Sequence, residues 1–503
     1  MGCLSLFLEA RRRTPGAVAL IDQRGPVTFD ALGAAADVYA ARLCKAGVRR
    51  GDRVVVLVPM SVELYTWLIA LLRIDATVMF VEPWMPLPLI AGVCESAAPA
   101  ALLASPAGVL LAQRIPAFRK IPLRLSTRWG GVLRVLGWRA PPDTGAPLPT
   151  MAASDDDVAV LTFTTGSSGA PKSVVRTHGL LQTQHDMLTA SLKLTPSDVC
   201  LHVFANFILN NLALGAASVI PNIQASAPTS FNPRALMTQI ATNAVTSVVC
   251  PPASLQRMVD SASRHGIILP TVKRLATGGG VVPRALLEAA TRVFVNADPE
   301  VLYGSSEVEP VSHIAWSELK TLSGDGVCVG RPVPQIAVRL MDFGEIAVRG
   351  PHVSPAYLNN PEATAKTKFQ DENGHTWHRM GDLATQDAEG RLWLTGRRHT
   401  LIQTPTGPVF PMILEQRAER LSFVDRAAAT ERTGQRGSVV MVIVPKAWAP
   451  GSFNAWAAQL QRELPEAGSV VFLKEIPRDR RHRSKIDDAA LQRQLRAAGP
   501  GLS

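Results

Sequence analysis

The chain has 503 residues, 47% of them hydrophobic and 18% charged, a balance that builds packed cores and excludes the low-hydrophobicity, high-charge class of disordered chains. Six cysteines lie far apart with no CxxC pair, which excludes a disulfide framework or a clustered zinc site. The net charge of +11 favours anionic partners, while the absence of zinc-finger spacing or an RNA-binding aromatic signature argues against nucleic acid.

The first residues, MGCLSLFLEARRR, lack the apolar core and cleavage site of a secretory signal, and Leu6 stands where a myristoylated chain carries Ser or Thr. A cytoplasmic location is expected. From Gly51, the run GDRVVVLVPMSVELYTWLIALLRIDATVMFVEP reads as strand, helix, strand: Val54 to Val58 suit a buried strand, and Leu64, Trp67, Leu68, Leu71 and Leu72 recur at helical spacing. Arg73 and Asp75 break this apolar stretch below membrane-spanning length. A βαβ unit of this kind implies a parallel sheet with helices on its faces.

Between Arg114 and Arg139 lie seven basic and no acidic residues, interleaved with Ile115, Phe118, Ile121, Leu125, Trp129 and Trp138. Such a segment suits a membrane surface, an acidic carrier or enzyme partner, or simply a solvated basic face with a half-buried apolar side. The Pro-rich and acidic residues 140–157 are expected to form a surface connection. They lead into LTFTTGSSGAPKSVVRTHG, Leu161 to Gly179, a loop of glycines and hydroxyls around Lys172 that is expected to leave a strand and enter a helix. Backbone N–H groups, hydroxyls and one lysine make a phosphate cradle. Pro171 stands where a P-loop NTPase needs its last glycine, so that reading is excluded.

A second α/β layer is expected from the short strands Ala217 to Pro221, Ser247 to Pro251 and Lys273 to Thr277, with helical segments such as Asn232 to Thr242 between them. From Val333 the texture changes to turn-separated strands, PQIAVRLMD, GEIAVRG and GRLWLTG, which predict a small β-barrel-like subdomain. The chain beyond Gly396 is long enough for a domain of its own.

TTGSSGAPK, Thr164 to Lys172, closely resembles the phosphate loop of the adenylate-forming superfamily: acyl-CoA synthetases, peptide-synthetase adenylation domains and luciferases. The resemblance continues in order through ATGGG, LYGSSEVEP, GEIAVRGPHVSPAYLNNPEAT, WHRMGD, LTGRR and RHRSKID, nearly the whole chain. It implies an α/β fold with a large N-terminal domain, residues 1–395, of two βαβ-type sheet subdomains plus the barrel-like one. A hinge at 396–399 and a mobile α+β lid over 400–503 complete the expected architecture.

The implied chemistry is attack of a carboxylate on the α-phosphate of ATP, with Mg²⁺, giving acyl-AMP and pyrophosphate. By resemblance, Thr164, Thr165, Gly166, Ser167, Ser168, Gly169 and Lys172 hold the phosphates, Glu307 holds Mg²⁺ and Ser306 donates to the α-phosphate. Gly278, Gly279, Gly280, Tyr303, Gly304 and Ser305 line the base and acyl side, Asp382 and Arg397 hold the ribose end, and Phe204 with Gly280 borders the acyl pocket. Lys485 bridges carboxylate and α-phosphate. His178 and His202, with no acidic partner visible in sequence, are assigned packing or capping roles. The set Lys172, Glu307, Asp382, Arg397 and Lys485 argues against a catalytically silent nucleotide-binding homologue.

The acceptor is read from a departure. Gly396, Arg397 and Arg398 are followed by His399 and TLIQTPTGPVFP, where CoA ligases carry an acid or lysine hinge and a basic, glycine-turned strand, so the use of CoA is in doubt. Together with WHRMGD, YGSSEVEPVS and FANFILNNLALGAASVIP, this looks like the β-lactone synthetases of olefin biosynthesis, which adenylate a β-hydroxy acid and let its own hydroxyl displace AMP. A long-chain β-hydroxy acid is the implied substrate. A CoA ligase or a carrier-loading acyl-AMP ligase is the alternative.

Overall fold

The computed structural model describes residues 2–81, 85–128, 137–142, 153–165, 171–223, 231–432, 434–447, 449–477 and 486–498. The predicted βαβ unit is present as Arg53–Leu57, Val62–Arg73 and Thr77–Phe80, with Val54 paired in parallel to Val78. Ser61 starts its helix by accepting from the Leu64 N–H, and nine consecutive residues from Leu64 are buried, so this helix is sheathed on all sides. It belongs to a six-stranded sheet in the order Leu123–Ser126, Ala101–Ala104, Arg53–Leu57, Thr77–Phe80, Val158–Thr165, Pro171–Thr177. All pairings are parallel except the last.

The second sheet is larger. Val18–Asp22, Ala217–Val219, Val199–His202, Ser247–Cys250, Arg274–Gly278 and Asp298–Ser305 lie side by side in parallel, and the second, fourth and fifth of them are the predicted apolar runs. Beyond Asp298–Ser305 the same sheet continues antiparallel through Val308–Ala315, Val327–Pro332, Leu392–Arg397, Thr376–Gln386, Glu345–Arg349 and Ala337–Leu340. The expected barrel-like strands are these. Among the described residues they form an open antiparallel run hydrogen-bonded into the large sheet, with Ala337–Leu340 at its edge.

From Ile402 onward the chain builds its own sheets, a hairpin of Ile402–Thr404 with Gly407–Val409 and a three-stranded sheet of Val424–Glu431, Val439–Pro445 and Ser469–Phe472. Its two hydrophobic clusters draw only on residues from this part of the chain. Arg417 ties it to the large body through Asp325 at 2.6 Å, and both ends of the Gln416 amide bond the Gly326 backbone.

In the basic segment, Ile115, Phe118, Ile121, Leu125 and Trp138 are buried in the core of the first sheet. Arg114, Arg119, Lys120, Arg128 and Arg139 are exposed. The described apolar residues therefore face inward, and Trp129 with residues 130–136 lies outside the described chain. No helix among the described residues is long and apolar enough to cross a membrane.

His202 is fully buried, with Asn211 Nδ2 donating to its Nδ1 at 3.1 Å and Ser247 Oγ 3.2 Å from its Nε2. That pattern holds the neutral ring, and burial pushes its pKa down to about 3. An unfolded histidine protonates near pH 6.5, so the unfolded state binds the extra proton between these values and stability falls as pH drops through the window. From this residue alone about 2 kcal/mol is expected to be lost between pH 7 and pH 5. Urea unfolding at the two pH values checks it, and His202→Gln is expected to flatten the slope.

Candidate active site

Thr164 pairs with Lys172 across an antiparallel ladder, so Val158–Thr165 and Pro171–Thr177 are neighbouring antiparallel strands joined through the glycine-rich segment. This corrects the strand-to-helix expectation: the helix begins only at His178, where Thr177 accepts from the Leu180 N–H. The reason is only partly local. Ser173, Val174, Val175 and Thr177 favour extended backbone, and their second edge is taken by residues 356–358, with the Leu358 N–H on Ser173 O at 2.9 Å. Gly166, Ser167, Ser168 and Gly169 lie outside the described residues, as does the side chain of Thr165. Lys172 is described, its Nζ 5.0 Å from the Tyr357 ring centre.

Facing it is the turn Ser305 to Val308, which reverses the large sheet from parallel to antiparallel. The buried Arg176 donates to Ser306 O at 2.9 Å. Glu307 is held from three sides: its N–H donates to Ser305 Oγ, its carbonyl accepts from Ser354 N–H, and its Oε1 accepts from the Tyr357 hydroxyl at 2.8 Å. Burial works against its charge, but in the acid range where the carboxyl titrates the charge of a protonated His378 and the Tyr357 hydrogen bond win, holding it below its usual range.

His378, also buried, is pushed down to about 4 by burial and by the Lys368 ammonium, so its ring is neutral at pH 7. Burial in turn lowers Lys368 to about 8, although Glu307 supports its charge, and its Nζ bonds Ser354 O at 2.5 Å. The hairpin root thus carries a compact polar cluster of Lys172, Glu307, Tyr357, Lys368 and His378. The last three were not singled out from sequence. Tyr357 and His378 sit inside quoted motifs and could have been; Lys368 carried no signal, because only folding brings it against Glu307.

Gly278 pairs with Leu302, and a Cβ there would lie 2.3 Å from Leu302 O, so the glycine is demanded by the neighbouring strand. Gly279 has φ +80°, with its missing Cβ 3.9 Å from the Phe204 ring. Across from it the buried Tyr303 donates its hydroxyl to Asp382 Oδ2 at 2.8 Å, and Arg397 Nε lies 2.7 Å from Asp382 Oδ1. A carboxylate offers about four acceptor positions, so Asp382 retains capacity beyond these two.

Lys172, Phe204, Gly278, Gly279, Tyr303, Glu307, Tyr357, His378, Asp382 and Arg397 line one cavity of about 2570 Å³, far above the roughly 300–1000 Å³ of ordinary ligand pockets. Gly280, Gly304, Ser305 and Ser306 border it too. Its wall also carries Phe204 and the apolar side chains of Phe7, Leu64, Leu72, Phe80, Met85 and Leu111. His178 and His202 are not on its wall. His178 does have an acidic partner, buried Asp75 with its Oδ1 3.3 Å from the ring Nε2, which its distance along the chain had hidden. Lys485 lies outside the described residues; Ile486 and Asp487, immediately after it, line the cavity, and His399 Nε2 is 3.8 Å from Asp488.

Two stacked sheets, a cleft at the carboxyl ends of their strands and a smaller C-terminal unit beside it are the architecture of the adenylate-forming enzymes. The amide bond synthetase from Marinactinospora thermotolerans superposes with TM-score 0.83 over 98% of this chain and 100% of its own, at 22% identity, which establishes the fold. The pattern of the AMP-binding enzyme family matches residues 7–358. The chain is 32% identical to an olefin β-lactone synthetase of Stenotrophomonas maltophilia, over 96% of this chain and 93% of that one. A second olefin β-lactone synthetase, from Xanthomonas campestris pv. campestris, is 31% identical over 92% and 89%. The protein belongs to the AMP-binding, adenylate-forming enzyme family.

Proposed function

We propose that this enzyme activates a long-chain β-hydroxy carboxylic acid with ATP and then closes it to a β-lactone with release of AMP. The observation that carries the reading is end-to-end similarity to two olefin β-lactone synthetases, at identities above 30%. The apolar side chains on the cavity wall support a fatty chain, and the Pro-bearing hairpin after His399 supports an acceptor other than CoA.

In this scheme the carboxylate of the acid lies between Phe204 and the Ser305–Glu307 turn. Lys172 and the hairpin tip, Thr164 to Gly169, meet the β- and γ-phosphates, and Ser306 meets the α-phosphate. Tyr303 and Gly278 to Gly280 flank the base, while Asp382, oriented by Tyr303 and Arg397, takes ribose hydroxyls. Among the described residues no three His, Cys, Asp or Glu converge on a point. A Mg²⁺ ion that shares phosphate oxygens needs only one or two carboxylates, so Glu307 fits as its protein ligand, and the ion would neutralise phosphate charge there. Residues 400–503 act as a lid turning about 396–399 on residues 1–395, which brings Lys485 to the reacting oxygens. The β-hydroxyl oxygen then attacks the acyl carbon, its proton is released to solvent as the bond to AMP breaks, and the internal nucleophile makes a CoA channel unnecessary. Six free thiols suit a reducing cytoplasm.

The test is incubation with ATP, Mg²⁺ and a long-chain β-hydroxy acid, with and without CoA. A CoA-independent product lighter than the substrate by one water, with a lactone ring by NMR, is expected. A thioester formed only with CoA would favour the ligase reading and overturn this one.

A further inference from the structure

The helices His178–Ser191 and Ala205–Leu214 pack together, and both put side chains on the cavity wall. Two polar links join them. Gln184 Nε2 and Asn206 Nδ2 meet at Glu309 Oε2, at 3.3 and 3.2 Å, and His185 Nδ1 lies 3.0 Å from Asn210 Oδ1. The first link is fixed to the reacting end of the site: Gln184 Oε1 accepts from Arg176 Nη1 at 2.8 Å, and Arg176 also donates to Ser306 O at 2.9 Å. His185 follows Gln184 directly, and Asn210 stands one helical turn, about 6 Å, from Asn206. The second link is therefore about one turn away from groups that hold the Ser305–Glu307 turn, where the scheme above places the substrate carboxylate.

His185 and Asn210 are only 7% and 4% exposed, and both line the cavity. Asn210 Oδ1 is an acceptor only, so the neutral ring carries its proton on Nδ1 and keeps a lone pair on Nε2. Burial keeps the ring neutral at pH 7, pushing its pKa below the usual 6.5. No described residue bonds Nε2, and the buried Asn210 Nδ2 has no partner in the protein. Leaving both unpaired beside an acyl chain is unfavourable unless the ligand brings a donor and an acceptor. A hydroxyl is both, and the methylenes of an unsubstituted chain are neither.

We propose that His185 is the base of ring closure: its Nε2 takes the proton of the substrate's β-hydroxyl as that oxygen attacks the acyl carbon, with Asn210 as its positioning residue. This rests on the β-lactone reading and supplies the base that reading requires. The O–H bond breaks as the bond from oxygen to the acyl carbon forms, and AMP departs with the electron pair of the acyl–phosphate bond. The imidazolium, steadied by Asn210 Oδ1 at its Nδ1–H, then gives the proton to solvent.

The test compares the two half-reactions within each preparation, so a partly misfolded variant does not bias it. Adenylation is read by pyrophosphate exchange with racemic 3-hydroxytetradecanoic acid, and ring closure by the lactone formed from the same acid. The ratio of lactone formation to exchange is expected to fall at least about 100-fold in H185A, the lower end of general-base catalysis. H185Q is expected to be as slow, because an amide keeps a polar group against Asn210 but cannot take a proton. N210A should lower the ratio about tenfold, the loss of one hydrogen bond. Recovery of the ratio in H185Q would make the role of His185 structural and overturn the inference. Lactone from wild type with an unchanged ratio in H185A sinks the base alone. Exchange without any lactone from wild type sinks the β-lactone reading, and this base with it.

Discussion

Replacing Lys485 by Ala is expected to lower pyrophosphate exchange by about 10²- to 10³-fold while leaving thermal unfolding where it was. The reaction brings a carboxylate against a phosphate chain, so both reactants are anionic and the pentavalent transition state concentrates charge on oxygens between them. A point cation that arrives only in the closed arrangement stabilises that state more than the separated ground states, which is the condition for raising kcat. Lys172 is no substitute: it is anchored on a strand at the hairpin root, over Tyr357. Lys485 comes from the C-terminal unit, where its immediate neighbours Ile486 and Asp487 reach the cavity wall. Lys485→Arg is expected to recover little, because a planar guanidinium replaces a compact ammonium between two oxygens. Exchange within about twofold of wild type in the Ala variant would remove Lys485 from the adenylation step.

Much of the frame was legible because it is written in short-range periodicity. Valine runs of strand length alternating with a 3.6-residue pattern gave both parallel sheets, and the glycine and hydroxyl strings marked turns at the ends of their strands. The hairpin around Gly166 to Gly169 was misread for a reason of the same kind: a strand followed by a glycine loop suggests a helix, and what decides otherwise is the edge offered by residues 356–358. Local sequence does not contain that edge. Asp75 as partner of His178, and Lys368 against Glu307, were hidden for the same cause, since each pair forms only when distant segments of the chain meet. The barrel-like subdomain was correct as a set of strands; that these extend the large sheet depends on the pairing of Val327–Pro332 with Leu392–Arg397.

Glu307→Gln should be the second severe lesion, with at least about a 100-fold fall in pyrophosphate exchange. Glutamine keeps the volume and can still accept from the Tyr357 hydroxyl, so the turn at Ser305 to Val308 is retained and only the charge is removed. Two effects follow that a purely structural role would not produce. If Glu307 holds Mg²⁺ beside the phosphates, the dependence of rate on Mg²⁺ concentration moves to higher values in the variant, whereas mere loosening of the turn lowers the rate and leaves the curve in place. The second effect is electrostatic. Lys368 is already depressed to about 8 by burial, with Glu307 supporting its charge, so removing that anion depresses it further. A lysine whose folded pKa lies below its unfolded value of about 10.4 is protonated at a penalty below the folded pKa, and the penalty is relieved as pH rises toward the unfolded value. The variant is therefore less stable than wild type at pH 7, and the gap narrows toward pH 9. Denaturant midpoints of both proteins across that range read the sign directly: a gap independent of pH would separate Glu307 from Lys368, and an unmoved Mg²⁺ curve would separate it from the metal.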